Sequence, residues 1–369
     1  MPWARCLGVS TFGALVALGA FTAGTAAPAP VTLSRDRLLE YHDASGIVHS
    51  VTSRSQWAKR ALAIRKALQE VMGPAPSGQA RCALDMRMES ETECAGFRRK
   101  LISYQVVPGH RVQAYLLIPN HVMRGESKAV GLLALHQTHP EGQKVVVGLG
   151  QSPDDEYGVE LVRRGYVCLA PPYPMLANYW PDLQALGMES GTQLAVWINI
   201  RGLDLLESLP YVRKGRFGCI GHSLGGHNGL FTAALDTRIS IVVSSCGLDS
   251  FKDYYGGNPD NWQPERGWCQ TRYMPRLAAY RGRLDALPFD FGELVAVLAP
   301  RTVFLSAPIG DSNFRWQSVD RLATSAREVF ALHRASEKLV VHHPDGPHRF
   351  PPEMREMAYQ EIDRVLRRR

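Results

Sequence analysis

The sequence predicts an α/β fold, with a mainly parallel central sheet covered by helices on both faces. Two observations predict it. From about residue 100 onward, short apolar runs rich in β-branched residues alternate with helix-period segments, the order that builds parallel strands joined by crossover helices. At Arg216–Phe231, RFGCIGHSLGGHNGLF, a buried-strand pattern passes through a glycine-flanked serine straight into a helical pattern.

The chain has 369 residues, 45% of them apolar, which is ample for one large core. Its formal charge is +7. The basic residues are scattered, with a short run at Arg367–Arg369, and nothing resembles a nucleic-acid module. A solvated basic surface is expected, with weak attraction to acidic polymers as the alternative.

Residues 1–27 read as a secretory signal. Arg5 supplies the positive start, Leu7–Phe21 the apolar run, and Thr25-Ala26-Ala27 or Ala27-Pro28-Ala29 the small-residue end. The run is short for a membrane span, so a secreted or periplasmic protein without a stable membrane anchor is expected. Seven cysteines leave six after that segment. Cys82 and Cys94 flank one polar segment and suit a disulfide in an oxidising compartment. Cys168, Cys219 and Cys246 lie in apolar runs and suit small buried thiols. No metal-ligand spacing appears, and no metal or organic cofactor is expected.

Residues 28–100 form an N-terminal extension packed on the core. The segment to about Ser50 is polar and irregular. From Ser53 to Met72, Trp57, Ala61, Ile64, Leu68 and Val71 recur at helical spacing, and Gly73-Pro74 stops the helix. Residues 101–369 form the main domain. Leu101–Val107 and Arg111–Ile118 are strand-like, with Pro108-Gly109-His110 as the turn. Val130–Leu135 is a strand running into His136-Gln137-Thr138-His139. A helix over Pro153–Arg164 is closed by Gly165, and Tyr166–Ala170 is the next strand. The loop over 175–189 carries Tyr179 and Trp180. Leu194, Trp197, Ile198, Leu205 and Leu209 mark a long helix, with Arg201 and Asp204 as an ion pair one turn apart.

After the strand Ile239–Ser244, residues 248–290 change character. Aromatic residues, among them Tyr254, Trp262 and Trp268, crowd into a stretch rich in Gly, Pro and Arg. A long irregular segment of this kind is read as a lid or pocket wall, with plain packing as the alternative. Thr302–Ser306 and Lys338–His342 are the last strands, and a helix over 353–367 closes the chain.

Gly221-His222-Ser223-Leu224-Gly225 fits G-x-S-x-G in the strand–turn–helix setting that gives the pattern meaning. The turn lifts the serine hydroxyl clear of the sheet. The Leu224 N–H, at the start of a helix, would face a developing oxyanion, and Gln137, after the strand Val130–Leu135, would supply a second N–H. Serine needs an imidazole base, and that imidazole needs an acceptor to set its tautomer. The order serine, acid, histidine is met by Ser223, Asp311 and His348. Asp249 is the alternative acid. His343 and His333 compete for the base.

The motifs LALHQT, ELVRRGYVCLAPPYP, GCIGHSLGGHNGLF, VVSSCG, APIGD and PHRFPPE, spread over about residues 100–365, resemble the α/β-hydrolase fold. Within it they are similar to the dienelactone-hydrolase-like and acetyl-xylan-esterase-like enzymes. Dienelactone hydrolases carry a cysteine where Ser223 stands, so the resemblance implies esterase chemistry without lactone specificity. Pro172 replaces the commoner Asp of an L-A-P-D-Y-P turn.

These readings lead to an expected secreted serine esterase, with Ser223, His348 and Asp311 as triad and Leu224 and Gln137 as oxyanion donors. Trp180, Tyr254, Trp262 and Trp268 are the expected substrate contacts, for a small-molecule or saccharide ester such as an acetyl or feruloyl ester. No nucleic-acid partner is expected, and the oligomeric state is not readable. A serine peptidase of the prolyl-oligopeptidase type is the rival enzyme. A catalytically silent hydrolase fold used for binding is the rival from another class.

Overall fold

The computed structural model describes residues 33–76 and 81–367. The segment read as a signal lies outside the described residues. A small antiparallel hairpin comes first, β1 (Glu40–His42) and β2 (Val48–Ser50), where an irregular segment was expected. Helix α1 (Arg54–Met72) follows. Ser53 and Gln56 close a reciprocal capping box at its start. Trp57, Ile64, Leu68 and Val71 are buried along one face. That face lies on the main body: Arg65 donates to the carbonyls of Ala234 (2.8 Å) and Val297 (3.2 Å), and Arg60 pairs with the buried Glu293.

Next come β3 (Arg87–Cys94), β4 (Phe97–Val107) and β5 (His110–Pro119), a three-stranded antiparallel run. The run β3, RMESETEC, is polar and mostly exposed at the sheet edge, so it has no apolar alternation to betray it. It also decides the fate of Cys82 and Cys94. Both are free thiols, and the seven steps from Arg87 to Cys94 carry Cys94 about 23 Å along the strand from its start. The expected disulfide is therefore not formed.

The short helix α2 (Asn120–Met123) leads to β6 (Ala129–Leu135), α3 (Tyr157–Arg163), β7 (Val167–Ala170), α4 (Gly191–Ser208), β8 (Val212–His222), α5 (Leu224–Leu235) and β9 (Ile239–Ser245). After residues 248–290 follow α6 (Phe291–Ala296), β10 (Thr302–Ser306), α7 (Trp316–Leu332), β11 (Leu339–His342) and α8 (Pro352–Leu366). The nine-stranded sheet has the order β11-β10-β9-β8-β6-β7-β5-β4-β3. The six strands from β11 to β7 are parallel.

Parallel strands covered on both faces must be apolar throughout, and β6 and β10 are buried at every residue. Arg201 and Asp204 on α4 do pair, at 2.6 Å. Among the described residues no helix is long and apolar enough to cross a membrane.

Residues 248–290 are a chain of short 3-10 turns, and much of the segment is buried. Trp262 is 1% exposed and packs on Phe251, ring centres 5.7 Å apart. The segment thus combines the two readings left open for it: part is core, and part faces the cavity over Ser223.

Candidate active site

β8 ends at His222, and Ser223 sits between strand and helix with φ 52° and ψ −120°. A non-glycine residue holds such a conformation only when its surroundings impose it. Here the Ser223 N–H donates to the Ser245 carbonyl of β9 at 2.7 Å. The flanking glycines permit the bend. A Cβ on Gly221 would stand 2.2 Å from the Gly225 backbone, and one on Gly225 would stand 2.0 Å from the Leu135 carbonyl oxygen. No side chain larger than hydrogen fits either place.

β10 lies beside β9 and β11 beside β10, and the loops after them converge on the same edge. The two loops are bonded to each other: Ile309 N–H donates to the Pro344 carbonyl and Gly310 N–H to the Gly346 carbonyl, both at 2.9 Å. One loop carries Asp311 and the other His348. His348 Nδ1 lies 2.8 Å from Asp311 Oδ2, and His348 Nε2 lies 2.9 Å from Ser223 Oγ. The other carboxylate oxygen, Oδ1, accepts from the Asn313 N–H (2.8 Å) and the Phe314 N–H (3.1 Å). Burial alone would raise the Asp311 pKa. The hydrogen bond and charge of His348, together with the two N–H groups, outweigh it and hold the carboxyl below its ordinary value. An ionised Asp311 requires the Nδ1–H tautomer of His348, which leaves Nε2 free to take the serine proton.

The alternatives lie elsewhere. Asp249 is fully buried, accepts from the Arg315 N–H at 3.1 Å, and is pushed up to about 6 by burial. His343 Nδ1 bonds the Ala307 carbonyl at 3.0 Å. His333 caps the C-terminus of α7. None of them bonds Ser223 or His348.

Leu224 is the first residue of α5, and its N–H belongs to the first turn, which has no intrahelical acceptor. Gln137 is buried and lines the cavity over Ser223. Its neighbour His136 holds this loop, a role the sequence did not reveal. The Tyr173 N–H donates to His136 Nε2 at 3.1 Å, so Nδ1 carries the proton and donates to the Gln137 carbonyl at 2.7 Å. Burial lowers the His136 pKa to about 4, so this tautomer stays neutral.

The cavity is about 340 Å³. Tyr254 and Trp268 line it as a stacked pair, ring centres 3.9 Å apart and planes within 7°. Phe314 continues the column towards His348, 5.8 Å from Trp268 and 5.6 Å from the imidazole. Tyr255, Tyr273 and His227 also line it. Among the described residues, no Arg, Lys, Asp or Glu lines it.

Two expected contacts are corrected. Trp262 lies in the core behind this wall, as its packing on Phe251 shows. Trp180 is 65% exposed, bonds the Ala177 carbonyl, and stands outside the cavity.

His222 and His227 are site residues the sequence argument set aside as bases. The His222 ring lies 5.0 Å from that of His348, with its Nδ1 3.1 Å from Ser245 Oγ. Burial and then the neighbouring His348 lower its pKa to about 3, so it adds no charge beside that ring. Among the described residues, one group has metal-ligand spacing, Cys246 with Asp311 and His348. Burial and then the Asp311 charge push the Cys246 thiol up.

The fold finds counterparts among known structures. A glucuronoyl esterase from Solibacter usitatus superposes with a TM-score of 0.67 at 19% identity, covering 90% of this chain and 98% of that one. One from Caldicellulosiruptor kristjansonii superposes at 0.65 and 19% identity, covering 86% and 88%.

The fold is that of the α/β-hydrolases.

At the sequence level, the family model described as "Glucuronyl esterase, fungi" matches residues 183–333 of this chain. The 4-O-methyl-glucuronoyl methylesterase 1 of Sodiomyces alcalophilus is 26% identical over 152 residues, 37% of this chain and 29% of that protein. The Bacillus subtilis protein YtaP, named as a hydrolase, is 26% identical over 144 residues. That match spans 39% of this chain and 44% of YtaP, so the chain spans less than half the length of these curated relatives.

Proposed function

We propose that this protein is a serine hydrolase of carbohydrate carboxylic esters, and that its acyl group is a uronic acid. Ser223 Oγ attacks the ester carbonyl while His348 Nε2 takes its proton. Asp311 stabilises the resulting imidazolium. The N–H groups of Leu224 and Gln137 hold the oxyanion. His348 then protonates the leaving alkoxide. Water, deprotonated by the same imidazole, releases the acid and restores Ser223.

The observation that carries this reading is the unbroken proton path from Ser223 Oγ through His348 to Asp311, opening into a cavity with no charged wall residue. A neutral ester enters such a site without desolvating an unpaired charge, whereas the free carboxylate product finds no cation to hold it. Tyr254 and Trp268 give the cavity an aromatic wall, which suits a sugar ring. The match to the glucuronyl esterase model over 183–333 supports a uronoyl ester over the acetyl or feruloyl ester considered from the sequence. Export, as read from residues 1–27, places the enzyme with extracellular polysaccharide.

The test is a substrate panel: methyl and benzyl esters of glucuronic acid, acetylated xylan, feruloylated sugars, p-nitrophenyl acetate and peptide nitroanilides. Glucuronate esters should show the highest kcat/KM, and Ser223→Ala should lose activity by at least about 10³-fold with an unchanged melting temperature. Faster turnover of peptide anilides than of any ester, or a fully active Ser223→Ala enzyme, rejects the proposal.

A further inference from the structure

The parallel strands all begin at the sheet edge opposite Ser223, and a cation stands at most of the starts. Lys128 precedes β6, Arg213 and Lys214 open β8, Arg301 precedes β10 and Lys338 precedes β11. The end of α8 adds Arg364 and Arg367 to the same edge.

Two cavities lie along it. One of about 290 Å³ is lined by Arg216, Arg301, Lys338 and Arg364. Another of about 360 Å³ is lined by Lys128, Arg164, Arg213 and Arg367. Part of this charge is compensated: Arg164 pairs with Glu356 and Asp363, Arg367 with Asp363, and Arg364 with Glu361. Among the described residues, Lys128, Arg213, Lys214 and Lys338 have no ion-pair partner.

Arg301 is the most informative of these. Its Nη1 donates to the carbonyls of Asp236 (3.1 Å) and Ile239 (3.0 Å), while Nη2 is buried without a partner. Burial, then the neighbouring Arg65, lowers its pKa to about 10, still charged at neutral pH. A buried guanidinium with an unused donor is costly unless an acceptor arrives, and its planar fork suits a carboxylate.

We propose that this basic edge is a docking surface for a polysaccharide bearing free uronate groups. It holds the enzyme on its matrix and leaves the catalytic mouth open. The inference rests on the uronoyl-ester reading, because a polymer carrying uronate esters also carries unesterified uronates. Ser223 lies seven residue steps beyond Arg216, about 23 Å along β8, so a chain bound at the edge does not compete with ester at the cavity. Exposed cations act weakly one by one and are screened by salt, so the contact is multivalent and salt-sensitive.

The test uses full-length protein carrying Ser223→Ala, which separates binding from turnover. Affinity electrophoresis is run through glucuronate-bearing xylan stripped of its esters and through neutral xylan. Sedimentation with phosphatidylglycerol vesicles and gel shift of duplex DNA are the other arms. The acidic xylan should retard the protein and the neutral one should not. Retardation should weaken at least tenfold between about 50 and about 300 mM NaCl, and equally in the double variant Lys338→Glu/Arg213→Glu. In the Ser223 background that double variant should keep its melting temperature and its kcat/KM for a small ester.

Undiminished binding by the double variant overturns the proposal, as does binding of vesicles or DNA in place of acidic xylan. Acidic-xylan binding without any ester hydrolysis by the Ser223 enzyme would sink the catalytic reading alone. Ester hydrolysis without acidic-xylan binding would sink the docking surface alone.

Discussion

Replacing Asp311 by Asn tests the proton path at its most specific point. In the folded protein Asp311 Oδ1 accepts two backbone N–H groups, and only Oδ2 faces His348. An amide nitrogen cannot accept from the Asn313 and Phe314 N–H groups, so the side-chain oxygen of Asn stays where Oδ1 is. The amide NH₂ is then left facing His348 Nδ1. That nitrogen must become the acceptor, the imidazole proton moves to Nε2, and Nε2 points a proton at Ser223 Oγ. The base is lost with no change of shape. Misplacing the tautomer in this way costs about 10⁴-fold in kcat, or about 5 kcal/mol of transition-state stabilisation. KM and the melting temperature should change little.

The assay is kcat and KM on a soluble glucuronate ester, with Asp249→Asn measured beside it. Asp249 bonds the Arg315 N–H and not His348, so its variant should retain kcat within about tenfold. Asp311→Asn within tenfold of the parent, with Asp249→Asn reduced a thousandfold or more, would refute the assignment of the acid.

Two further outcomes are expected. His227 lies among Phe231, Trp268 and Phe291, and burial lowers its pKa to about 3. Below about pH 6.5 the unfolded chain takes a proton that the native ring refuses, so native stability is lost as pH falls toward about 3. His227→Phe removes this term. Relative to the parent it should gain about 1.4 kcal/mol of unfolding free energy per pH unit between about pH 6 and about pH 4 in urea titrations, and parallel curves would show that the ring is not held neutral. Trp262→Ala should cost about 3–5 kcal/mol of stability by opening a cavity in the core, while Trp268→Ala should raise KM for sugar esters. An inverted pattern would return Trp262 to the substrate wall.

The geometry of the candidate site was legible because its residues sit in locally defined settings. Gly221-His222-Ser223-Leu224-Gly225 carries its own strand, bend and helix, and Asp311 and His348 each follow an apolar strand. β3 left no trace because an exposed edge strand has no reason to alternate. The Cys82–Cys94 pairing failed because proximity in sequence says nothing about a strand extended between the two cysteines.

The chain order alone determined that a parallel sheet would bring its loops to one edge, and that a serine, an acid and a histidine would be among them. Tertiary packing decided the rest. It set Asp311, and not Asp249, against His348 by bonding the two last loops together, and it sent Trp262 into the core while leaving Trp268 at the cavity. It also gathered scattered basic residues at the far edge of the sheet. Each of these outcomes depends on distances between segments far apart in the chain, and hydrophobic period reports only the face that a residue shares with its near neighbours.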